Sequence, residues 1–97
     1  MIKHIVLFKF KTCEGKEESI RKIKASLESL PSIIPELRGI NVGLNVNAKE
    51  KWDMCLEAVV ENLHDLEVYA SHPAHVQIVT SMIAPMKEDR ACIDIQL

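Results

Sequence analysis

The hydrophobic pattern opens with period two. In residues 1–10, Ile2, Val6, Phe8 and Phe10 share one face with His4, while Ile5 and Leu7 lie on the other between Lys3 and Lys9. Both faces are partly apolar, which predicts a strand covered on both sides. Over residues 16–30 the period changes. Ile20, Ile23, Leu27 and Leu30 follow the three-to-four spacing of one buried helical stripe. Glu17 with Arg21, and Glu18 with Lys22, place i,i+4 charge pairs on the wet side. Pro31 interrupts this helix, and Pro35 closes one further turn.

Strict alternation returns in residues 37–46, where Ile40, Val42, Leu44 and Val46 alternate with Gly39, Asn41, Gly43 and Asn45. A polar turn at 47–52 leads to a strand at about 53–61, with Met54, Leu56, Ala58 and Val60 on one face and Cys55, Glu57 and Val59 on the other. Asn62 with Asp65 three residues on reads as a helix cap, and the short helix it starts runs to about Tyr69. Pro73 suits the first turn of a further helix, 73–84, whose expected buried stripe is Val76, Val79, Met82 and Ile83. Pro85 stops it. Residues 90–97 close the chain as a strand with Ala91, Ile93, Ile95 and Leu97 on one face.

The order is β-α-β-β-α-β with the second helical region split, the ferredoxin-like α+β arrangement. Helices on one face leave the other face of the sheet bare, and here it would carry Ile5, Leu7 and Val59. A bare apolar face of this kind marks an interaction surface. The expectation is a homodimer joined sheet to sheet.

Composition narrows the function classes. At 97 residues the chain is expected to be one domain, 1–97. A net charge of −2, with twelve basic residues interspersed among fourteen acidic ones, forms no basic stripe for nucleic acid or anionic membrane. Cys13, Cys55 and Cys92 are odd in number and lack CxxC spacing, so a reducing, cytoplasmic setting is expected rather than a disulfide framework. The apolar opening is too short to span a membrane and lacks a small-residue cleavage site.

Candidate chemistry concentrates in Tyr69-Ala-Ser-His72-Pro73-Ala-His75 and in His4. His75, in the first turn of the last helix, can act as a general base because an imidazole titrates near neutrality. It can equally be a buried histidine bonded to backbone. Tyr69 can donate to a developing enolate or sit at a helix end with its hydroxyl in water. His4, a polar ring among Ile2, Val6 and Phe8, needs a partner when buried. That partner is a ligand, or Tyr69 or His75. His72 precedes a proline and is read as a cap for the helix that follows. His72 with His75 lacks a third residue at metal-ligand spacing, and His64 is expected on the exposed side of its helix. Trp52 covers a pocket mouth or packs. None of the cysteines has an activating base near it in sequence, which disfavours nucleophilic catalysis.

The His4-Ile-Val-Leu-Phe-Lys-Phe10 opening, the Ile40–Gly43 strand and the Tyr69…His72-Pro73-Ala74-His75 segment together resemble the stress-responsive A/B barrel (Dabb) family, over residues 2–95. The resemblance implies a dimeric α+β barrel. In plant members that close a linear polyketide by aldol condensation, a tyrosine–histidine pair matches Tyr69 and His75, and a first-strand histidine matches His4. Where those members carry a first-helix tyrosine this chain has Leu27, and where they carry a third-strand histidine it has Met54. The pocket is therefore expected to be more apolar, lined by Leu27, Met54, Val79 and Met82. Some members hold magnesium on backbone carbonyls whose positions match Pro31, Ile34 and Leu37. No other metal, and no cofactor, is expected. These residues leave three readings: a small-ligand protein with cofactor-free acid/base chemistry on a carbonyl compound, a non-catalytic structural or regulatory dimer, or a cofactor-free monooxygenase.

Overall fold

The computed structural model of the protein describes residues 1–97. Strand β1 (Ile2–Phe10) runs through the middle of a four-stranded antiparallel sheet. Helix α1 (Lys16–Glu28) follows, then a single 3₁₀ turn (Leu30–Ser32), β2 (Leu37–Leu44) and β3 (Met54–Val60). Helices α2 (Leu63–Ser71) and α3 (Pro73–Ile78), a π turn (Val79–Ile83) and β4 (Lys87–Gln96) complete the chain. The strand order is β2-β3-β1-β4, the ferredoxin-like order. No helix is long and apolar enough to cross a membrane.

The alternation in β1 and β3 has the phase expected of it. Ile2, Val6, Phe8 and Phe10 of β1 and Met54, Leu56, Ala58 and Val60 of β3 are buried beneath the helices. Pairing His4 with Ala58 and Val6 with Leu56 sets the two buried faces side by side. Ile20, Ile23, Leu27 and Leu30 close the core from above. Gly15, at φ 74°, makes the left-handed turn that starts α1, a conformation that side chains with a Cβ resist. Of the two i,i+4 pairs expected on this helix, Glu18 and Lys22 meet at 3.5 Å.

Three sequence expectations need correction. Strand β2 ends at Leu44, and Val46 is 98% exposed. Asn45 and Asn47 divert the chain, because the Asn45 side chain accepts the Asn47 N–H at 2.9 Å and closes an Asx turn. The last helix does not run regularly from 73 to 84. After Ile78 it widens into a π turn, closed by the Ala84 N–H on the Val79 carbonyl at 2.8 Å. Ile78 and Ile83 are therefore the residues it buries, and Val76 is 41% exposed. Finally, β4 begins at Lys87, three residues earlier than expected.

The 3₁₀ turn bears on the magnesium expectation. The Leu30 carbonyl accepts two N–H groups, and the Ile34 carbonyl accepts that of Leu37 at 3.1 Å. Leu37 already pairs with Val60 at the start of the sheet. Of the carbonyls at Pro31, Ile34 and Leu37, that of Ile34 already accepts one N–H, which leaves it one lone pair for a cation.

Candidate functional site

The Asn62 cap holds the start of α2 by accepting the Asp65 N–H at 2.9 Å. Its last turn then carries Tyr69 inward, with the ring buried against the sheet. His72 breaks the helix in an extended conformation, and its Nδ1 accepts the Ala74 N–H at 3.1 Å, capping α3 as expected. The break at His72 between α2 and α3 sets the His75 ring against Tyr69. Their ring centroids lie 4.4 Å apart at 45°. From the strand below, His4 presents its ring edge to Tyr69 at 6.4 Å.

These three rings line one cavity of about 390 Å³ between the helices and the sheet. Its floor and walls are Val6, Phe8, Leu27, Leu56, Leu66, Val79 and Ile83, with Glu67, Lys87 and Arg90 adding charge. Ligand pockets start at about 300 Å³, are mostly apolar and carry a few placed polar groups, and this cavity has that character.

Two of the expected lining residues lie elsewhere. Met54 is fully buried, flanked on the sheet by Phe8 and Leu44. Met82, inside the π turn, lines a separate groove with Ser19, Ile23 and Pro85. Trp52 is also away from the cavity, with the Lys51 ammonium 4.4 Å over its ring.

The two helical groups differ in protonation logic. His75 Nδ1 lies 2.9 Å from the Ala70 carbonyl, which can only accept. The proton is therefore on Nδ1, and in the neutral ring Nε2 carries the lone pair. Burial pushes the His75 pKa below its ordinary value; the Ala70 bond opposes this, while His4, Arg90 and His72 add to it. The ring thus stays a neutral base at physiological pH. Burial pushes the Tyr69 phenol up to about 12, against the opposing pull of Arg90. Tyr69 therefore remains a neutral hydrogen-bond donor. A base and a donor side by side at an apolar cavity can take a proton from carbon and steady the oxygen on which charge develops.

His4 is satisfied differently from either expectation. Its Nδ1 bonds Asp94 of β4 at 2.6 Å, and the Cys92 thiol lies 3.4 Å from the same nitrogen. Asp94, Cys92 and Arg90 all belong to the polar phase of β4, opposite His4, Val6 and Phe8. Sequence reading attended to the apolar phase of that strand and missed these residues. The signal was there, as the polar positions of a strand adjacent to a strand histidine.

A family model described as the stress responsive A/B barrel domain matches residues 2–97. The chain belongs to the Dabb family. Among curated proteins, it is 30% identical to olivetolic acid cyclase from Cannabis sativa over 80 residues, covering 77% of this chain and 76% of that one. Among solved structures, this Dabb protein is similar to a dimeric ferredoxin-like protein of unknown function from Bacteroides fragilis. The identity is 40%, the TM-score 0.92, and the coverage 99% of this chain and 95% of that one. A second dimeric ferredoxin-like protein, from Thermobifida fusca, is 27% identical with a TM-score of 0.83, over 99% of this chain and 90% of that one.

Proposed function

We propose that this Dabb protein is a cytoplasmic homodimer that binds a small, largely apolar carbonyl compound in the helix–sheet cavity. Its turnover is a cofactor-free acid/base reaction of the aldol-cyclisation or lyase type. The observation that carries this reading is the Tyr69–His75 pair, with ring centroids 4.4 Å apart and His75 Nδ1 fixed on a carbonyl. That leaves Nε2 to accept a proton from the carbon beside the substrate carbonyl, while the Tyr69 hydroxyl donates to the enolate oxygen. Leu27, Val79, Val6 and Phe8 hold the apolar body of the ligand, and Arg90 at the rim favours the negative charge that develops. Similarity to a protein named olivetolic acid cyclase supports the same class of chemistry.

The dimer is proposed through the sheet face away from the helices. Ile5 and Leu7 there form a shallow apolar groove with Ala91 and Ile93, and solved neighbours of this fold are dimeric.

The test is exchange of α-carbon protons for deuterium in a panel of alkyl and aryl ketones, followed by NMR. Wild type is expected to accelerate exchange of at least one compound, and His75→Ala to lower that rate by about 10²–10⁴-fold. Equal exchange by wild type and His75→Ala overturns the role given to His75. Binding without exchange assigns the cavity to a non-catalytic regulatory protein instead.

A further inference from the structure

The trio on the edge of the sheet has a geometry that the cavity chemistry does not use. Cys92 and Asp94 are two residues apart on one face of β4, and Asp94 pairs directly with His4 of β1. Backbone pairing therefore fixes all three Cβ atoms on one strand surface. The His4 nitrogen, a Cys92 sulfur and an Asp94 oxygen lie within 4.8 Å of one another. A Cys–His–Asp catalytic triad would need the thiol and the carboxylate on different ring nitrogens. Here both approach Nδ1, at 3.4 and 2.6 Å. Ligand atoms converging on one point describe a coordination site rather than a proton relay.

We infer that His4, Cys92 and Asp94 form a site for a borderline-soft divalent cation of the zinc type, with its fourth position open to water. One imidazole nitrogen, one thiolate and one carboxylate are a mixed N/S/O donor set suited to zinc rather than to magnesium or calcium. Around a tetrahedral zinc such atoms sit about 3.3–3.6 Å apart, given bond lengths of about 2.0–2.3 Å. The nitrogen–sulfur pair is already at 3.4 Å. The nitrogen–oxygen pair, held at 2.6 Å by a shared proton, opens by under about 1 Å when the cation replaces that proton. On binding, the thiol proton leaves to solvent, and the proton displaced from between Nδ1 and Asp94 is taken up, through solvent, at Nε2, so the imidazole stays neutral. The thiolate and carboxylate together neutralise the dication. Arg90, on the same strand face, lines the cavity. The trio lies on the face opposite the one proposed to form the dimer, and of its three residues only His4 lines the cavity.

The test uses the full chain, reduced and stripped of metal by chelator, titrated with cobalt(II) as the spectroscopic probe. The expected result is one equivalent bound per chain, with a thiolate-to-cobalt charge-transfer band and four-coordinate visible bands that zinc displaces. Cys92→Ser abolishes the charge-transfer band. Asp94→Asn, checked by circular dichroism to be folded, weakens cobalt binding by about tenfold or more. Cys13→Ser and Cys55→Ser leave both unchanged. Absence of a stoichiometric band overturns the inference, and so does a band that persists in Cys92→Ser.

Discussion

His75 is held to one protonation state by two opposing features of its surroundings, burial and the Ala70 carbonyl, and burial dominates. Because its pKa in the fold lies below the ordinary value of about 6.5, the unfolded chain binds the proton more readily than the folded one. The stability this contributes is fully present above about pH 6.5 and is lost as the pH falls from there through the lowered folded value. Thermal melts between about pH 8 and pH 5 should therefore show a decline that His75→Gln flattens; parallel curves would show that the ring is not buried as described. Tyr69 behaves differently. Its hydroxyl has no hydrogen bond to protein, while no fully buried side-chain polar atom is left unpaired, so the hydroxyl meets the cavity. Tyr69→Phe then removes a group the fold does not use. The melting temperature should change by less than about 4 °C, where loss of a buried partner would lower it further. Tyr69, His72 and His75 were legible in the sequence because they crowd one short segment around a proline. Asp94 and Cys92 were not, because their relation to His4 exists only once β4 pairs with β1 across some ninety residues.

At the scale of elements, alternation and capping carried most of the information. The β1 and β3 faces, the α1 stripe and the Asn62 cap lie where residue types demand. Two of the departures share one physical cause: the hydrophobic pattern gives way to local hydrogen bonding. The Asx turn at Asn45 ends β2 before Val46, although the alternation continues through it. The π turn adds a residue to the helical repeat after Ile78, so Val76 leaves the buried stripe and Ile78 enters it. Ile78→Ala should cost about 2–5 kcal/mol in denaturant unfolding, and Val76→Ala within about 0.5 kcal/mol. The reverse order would restore a regular helix over 73–84. The same widening turns Met82 out of the cavity wall while keeping Val79 and Ile83 in it.

For the whole molecule, the sheet is covered on one side only. Every residue of β4 is exposed in the single chain, including Ile93 at 59% and Ile95 at 40%. Ile93 pairs with Ile5, and Ala91 with Leu7, so the apolar phase of β4 continues the bare face of β1. A chain of this size buries only about 60–70% of its unfolded surface by itself, and a partner on this face adds to that. Ile93→Glu should convert the proposed dimer to monomer in sedimentation velocity while leaving the cavity intact; an unchanged sedimentation coefficient would place the partner elsewhere. The β-α-β-β-α-β order and the bare face could both be read from the sequence, because each follows from counting periods.

The proposed ligand site is the cavity between helices and sheet, with Tyr69 and His75 supplying its polar contacts. The most direct measurement is an NMR titration of the protein with the apolar ketone that exchanges fastest, following side-chain methyl groups and histidine ring nitrogens together. Saturable shifts are expected at Leu27, Val79 and Ile83 and at His75 Nε2, with the methyls of Leu63 and Ile33 on the outer surface unmoved. Shifts confined to Ile5, Leu7 and Ile93, with the His75 ring unaffected, would contradict it and move the binding site to the opposite face of the sheet.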